Sequence, residues 1–91
     1  MAKLFKIGSS DAITVKPENG TTFTLQELYN IVGCSMVEFL YIGSYIMVID
    51  EEGKLNNKSV NDIATYHFRT NSKTHDYIVG NALVCDRSEI N

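Results

Sequence analysis

Apolar residues recur along this chain with two periods. From Ala12 to Lys16 the period is two: Ile13 and Val15 fall on one side, Ala12, Thr14 and Lys16 on the other. That alternation predicts a half-buried strand. Lys3–Ile7, where lysine mixes with bulky apolar residues, reads as a strand before it, across a Gly8-Ser9-Ser10-Asp11 turn. Pro17-Glu18-Asn19-Gly20 closes this first pair. The period then becomes helical. Leu25, Leu28, Tyr29 and Val32 recur at i, i+3, i+4 and i+7 as one stripe. Thr24 and Glu27 have capping-box spacing, Phe23 is placed to staple against Leu28, and Gly33 is the expected stop.

Met36–Ile42 and Tyr45–Asp50 are rich in β-branched and aromatic residues and predict two strands. Gly43-Ser44 joins them as a two-residue hairpin of the II′ type. Their weak alternation predicts that one of the two is covered on both faces. Asp50-Glu51-Glu52-Gly53 is a charged turn. A second helix is predicted from Ser59, with Asp62 in the capping-box position. Val60, Ile63, Ala64, His67 and Phe68 make its apolar face, while Asn61, Thr65 and Arg69 lie four apart on another. Thr70–Thr74 reads as a polar loop, Tyr77–Asp86 as the last strand with a bulge or bend at Gly80-Asn81, and Arg87–Asn91 as a frayed tail. The expected fold class is α+β in the order ββ-α-ββ-α-β. It is a single domain over residues 1–91, a mostly antiparallel sheet with two helices packed on one face.

Size and charge narrow the function classes. A chain of 91 residues with 44% hydrophobic and 21% charged residues has a complete but small core. A ligand site is therefore expected as a surface groove or a cleft between subunits, and exposed tyrosines favour a homo-oligomer. Eight basic against eleven acidic residues give a net charge of −3, which argues against DNA as a partner. Cys34 and Cys85 lack disulfide-framework spacing and read as free thiols in a reducing compartment. Lysines interrupt the apolar start, and Met36–Ile49 is too short to cross a membrane. The expectation is a cytoplasmic protein with no membrane partner.

No metal or cofactor is expected: His67 and His75 are eight apart, and neither cysteine has a second ligand at pair spacing. No GxSxG nucleophile elbow and no glycine-rich phosphate loop is present. The acids Asp50, Glu51 and Glu52 do not complete a calcium loop. Three features remain, each with an ordinary structural reading beside the functional one. Glu38 lies inside an apolar strand, so it either faces water on an edge or makes a polar contact. Lys58 and the N–H groups that open the second helix suit an anion, or simply cap the helix. Tyr66, Phe68 and Arg69 combine aromatic faces with a guanidinium, suited to a base and a phosphate, or to core packing plus surface charge.

A series of short motifs from Thr14 to Val84 resembles the domain of unknown function 3846 family. Leu25-Gln26 and Val32-Gly33 mark the helix, Val37-Glu38-Phe39 the strand, and Asp50-Glu51-Glu52-Gly53-Lys54-Leu55 the acidic turn. Asn61 and Ala64-Thr65 follow, then Asp76, Ile78, Gly80 and Leu83-Val84. Cys34 stands where the family pattern has a second glycine. The resemblance implies an accessory protein of phages, plasmids and other mobile elements, acting against host defence in the bacterial cytosol. The function expected is non-catalytic sequestration of a nucleotide-like small ligand. The alternative is a protein–protein inhibitor or adaptor that binds a host defence protein without a small ligand, and a small hydrolase ranks last. The expected ligand-binding set is Asn61, Thr65, Tyr66 and Arg69, with Lys58 in a separate subsite and Glu38 as a polar contact from the strand.

Overall fold

The computed structural model describes residues 2–71 and 76–90. Its elements run β1 (Ala2–Phe5), β2 (Ala12–Val15), α1 (Leu25–Val32), β3 (Val37–Ile42), β4 (Tyr45–Asp50), α2 (Asp62–Asn71) and β5 (Ala82–Asp86). The strands form one five-stranded sheet in the order β2-β1-β5-β4-β3, with every pairing antiparallel. The α+β class and the order ββ-α-ββ-α-β are those read from the sequence. The N-terminal hairpin joins the main sheet through β1 and β5, with Leu4 opposite Leu83. No helix among the described residues is long and apolar enough to cross a membrane.

One feature differs from the expected arrangement: the helices cover opposite faces of the sheet. Leu28 and Val32 of α1 pack with Phe23, Ile46, Val48, Leu83 and Cys85. Ala64 of α2 packs with Met47, Ile78, Ala82 and Val84. Neighbouring strand residues point to opposite sides, so these are two cores separated by the sheet. The cause is the apolar content of the two inner strands. Ile46-Met47-Val48 and Ala82-Leu83-Val84-Cys85 are buried on both sides, and a single helical layer would leave one side wet.

The capping box of α1 forms as its spacing predicts. Thr24 Oγ1 accepts the Glu27 N–H at 3.2 Å, and the Glu27 carboxylate accepts the N–H groups of Thr24 and Glu18 at 2.9 and 2.8 Å. These backbone bonds hold the Glu27 carboxyl below its ordinary pKa. Gly33 ends the helix in the left-handed region at φ 81°. The apolar stripe is narrower than predicted, because Leu25 is 52% exposed. Phe23 fills the core in its place, bridged to Ile90 and donating its N–H to Glu89 O at 2.7 Å. That contact also corrects the predicted fray: Arg87–Glu89 is a 3-10 turn capped by Asp86.

Several boundaries move, two of them for plain local reasons. Gly80 (φ 76°) breaks the predicted last strand, so β5 begins at Ala82. Helix α2 runs on through Thr70 and Asn71, whose side chains bond back to helical carbonyls. The rest of the predicted 70–74 loop, and His75, lie outside the described residues.

Leu28 is 1% exposed at the centre of the α1-side core. Leu28→Ala is expected to cost about 2–5 kcal/mol, as large-to-small core changes do. Denaturant unfolding should show the lower midpoint, and an unchanged midpoint would contradict this packing.

Candidate functional site

The segment before α2 is extended rather than helical. Val60 bridges Val79, the Asn61 N–H bonds Ile78 O at 2.8 Å, and the Gly80 N–H bonds Ser59 O at 2.8 Å. The helix therefore starts at Asp62, not at the predicted Ser59. Asn61 stops its first turn: its Oδ1 accepts the Ala64 N–H at 3.0 Å. The Asn61 amide also donates to Phe5 O at 2.8 Å and Gly80 O at 2.9 Å. Thr65, one turn on, accepts the Ile78 N–H at 2.9 Å and donates to Ile78 O at 3.3 Å. Both side chains are buried. The polar side-chain atoms of Asn61 and Thr65 meet the protein's own backbone, while Asn61 also borders the depression beside the Gly8–Ser10 turn.

Lys58 is also committed inside the fold. Its ammonium pairs with the buried Asp50 carboxylate and donates to Gly33 O at 3.0 Å. It thus ties the end of β4 to the C-terminus of α1, where a cation complements the helix dipole. The other Asp50 oxygen accepts the Glu52 N–H at 2.9 Å. The Lys58 ammonium expected to hold an anion is thus engaged by Asp50 and Gly33. Tyr66 and Arg69 do reach the surface. Tyr66 is 72% exposed, and Arg69 Nε donates to Asp76 O at 2.9 Å.

Arg69 thereby borders a group of residues that periodicity did not pick out. Lys54 from the turn after β4 pairs with the Asp76 carboxylate and stands 4.2 Å from the centre of the Tyr77 ring. The bond between them raises the Lys54 pKa and lowers that of Asp76. Together with Glu38, Leu40, Ile49, Asp50 and Glu51 they line a surface depression of about 110 Å³. Of the six expected site residues, only Glu38 lines it. The sequence held one pointer to the rest: Lys54 and Asp76 both fall within the motif series that carries the family resemblance.

Two further depressions lie among the described residues. One, of about 290 Å³, lies between the Gly8–Ser10 turn and the start of α2. The other, of about 230 Å³, is lined by Lys3, Phe5, Tyr45, His67 and Val84, with the His67 ring 5.7 Å from that of Phe5. Among the described residues no group of three or more His, Cys, Asp or Glu could hold a metal ion. Burial pushes the Cys85 thiol up to about 11, with Glu89 and Asp86 adding to it. Burial and the Asp50 charge raise that of Cys34. Both are protonated near neutral pH and make poor nucleophiles there.

Residues 9–91 match the family described as Domain of unknown function (DUF3846), and the chain belongs to that family. No curated protein and no solved structure matches it.

Three outcomes follow from this geometry. Asn61→Ala strips partners from Phe5 O, Gly80 O and the Ala64 N–H. At about 1–3 kcal/mol per orphaned buried group, denaturant unfolding should show a loss of about 3 kcal/mol or more. Arg69→Ala, on the exposed side, should cost about 1 kcal/mol or less. Equal effects would refute the inward orientation of Asn61. For the thiols, a maleimide at neutral pH should label the half-buried Cys34 of the native protein slowly, through its small thiolate fraction, and reach Cys85 only after unfolding. The native state keeps the Cys85 proton up to about 11, whereas an unfolded cysteine loses it near about 8.5. Native protein then binds more protons than unfolded protein, so stability should fall as pH rises through that window.

Proposed function

We propose that this member of the domain of unknown function 3846 family is a non-catalytic binding protein that takes a protein partner along the outer edge of β3. The observation that carries this reading is the open backbone of that strand. A two-residue turn makes its flanking residues, Ile42 and Tyr45, a hydrogen-bonded pair. Glu38, Leu40 and Ile42 therefore bond to β4, and the Glu51 N–H to Met36 O bond continues the same phase. Val37, Phe39 and Tyr41 turn their N–H and C=O groups away from the sheet. β3 is the last strand in the order, and no bond among the described residues uses those outward groups. An extended segment of a partner adds to such an edge through main-chain bonds. Tyr41, 62% exposed, and the half-exposed Met36 and Tyr45 supply aromatic and apolar surface near it.

The partner class is the one the resemblance implies, a host defence protein met by an accessory protein of a mobile element. Sequestration of a nucleotide-like ligand has less support, because Asn61, Thr65 and Lys58 are occupied by internal bonds. A second copy of the chain competes for the same edge, and light scattering of the protein alone measures that.

Tyr41→Pro tests the reading. Proline removes one outward N–H, together with the Tyr41 ring that lies under the Arg87 guanidinium, and leaves the backbone bonds of the β3–β4 ladder in place, a position where edge strands tolerate it. The variant should keep the circular dichroism of the wild type and lose the protein that tagged wild type retains from host cells. Retention of the same protein by the variant would overturn the edge assignment. So would tight binding of a cyclic or linear adenine nucleotide to the wild type by calorimetry, with no protein retained.

A further inference from the structure

The depression beside β3 lies on the α2 side of the sheet, between that strand and the segment leading to β5. Its lining holds four carboxylates, from Glu38, Asp50, Glu51 and Asp76, against the single ammonium of Lys54. Asp50 is neutralised by Lys58 and Asp76 by Lys54. Among the described residues Glu38 and Glu51 make no direct ion pair, although the Glu38 charge also acts on Lys54, and both are exposed. Between the acids, Leu40, Ile49 and Ile78 contribute aliphatic surface. Acids at the rim with aliphatic wall suit one kind of side chain, a long apolar stem that ends in a cation.

We infer that this depression receives a lysine or arginine side chain from an extended partner segment that adds antiparallel to β3. The inference rests on the edge reading above and names the chemistry of the partner. On an added antiparallel strand, residues opposite Val37, Phe39 and Tyr41 make the main-chain bonds. The residue opposite Glu38 then sits in a non-hydrogen-bonded pair, with Cα atoms about 4.5 Å apart and its side chain on the same face as Glu38. That face carries the depression. A basic residue there meets Glu38 directly and reaches Glu51.

The wider charge distribution points the same way. Residues 21–52 contain Glu27, Glu38, Asp50, Glu51 and Glu52 and no lysine or arginine. In space Lys54, Lys58 and the Arg87 guanidinium over the Tyr41 ring offset part of this charge, so the attraction for a basic residue is local to Glu38 and Glu51. The same charges disfavour a second copy as the occupant. Antiparallel pairing of β3 with itself would bring the acids of both copies to one edge, and facing like charges destabilise a strand pair.

The test uses three labelled seven-residue peptides that alternate valine with lysine, with serine or with glutamate. Fluorescence anisotropy at low salt should show the lysine peptide binding at least about tenfold tighter than the glutamate peptide, a preference that shrinks at high salt. Glu38→Gln should weaken the lysine peptide about fivefold and leave the serine peptide unchanged, with thermal unfolding as in wild type. Hydrogen exchange should show the Val37, Phe39 and Tyr41 amides protected by the bound lysine peptide. Equal protection by the serine and lysine peptides, with no charge preference, would overturn this inference and leave the edge reading standing. Absence of protection by every peptide would overturn the edge reading itself.

Discussion

The fold closes on the side chain of Asn61. One buried amide joins the end of β1, the Gly80 carbonyl before β5 and the first turn of α2. These three backbone groups come from distant parts of the chain, and each would otherwise need water that the core excludes. Satisfying all of them at once sets where the helix starts and how it meets the sheet. Lys58 does the corresponding work on the other side, where its ammonium bridges Asp50 and the last turn of α1. Between Lys58 and Asn61, four residues tie both helices to the sheet. In a small core with no disulfide among the described residues, such ties fix the arrangement chiefly because breaking one leaves a buried group unpaired.

The same two residues show why the fold was more legible than the site. Helix α1 could be read from local signals, because its capping box, apolar stripe and terminal glycine all act within one turn of their partners. The Gly43-Ser44 hairpin was legible for the same reason. Spacing puts Asn61 and Thr65 on one helical face, but spacing alone does not say whether that face meets water, a ligand or a carbonyl. Their partners at Phe5, Ile78 and Gly80 are set by tertiary contact. The pairing of Lys58 with Asp50 and the convergence of Lys54, Asp76, Tyr77 and Glu38 are likewise long-range and have no period. The placement of the helices is a different case. The expectation of one helical layer passed over the unbroken apolar run Ala82-Leu83-Val84-Cys85, which strand alternation divides between the two faces, with one helix on each.

Glu38 links the edge to its chemistry. An open six-residue strand with apolar neighbours is a hazard in any small sheet, because it pairs with whatever strand it meets. A charge on such a strand is a common guard against that. Here the guard is one-sided. On the α1 face β3 presents Val37, Phe39 and Tyr41, while on the α2 face Glu38 stands over a depression whose acids outnumber its cations. Repulsion of acidic and like strands and attraction of basic ones are then one property of one side chain. The charge that keeps the edge from aggregating also selects what is allowed to pair with it.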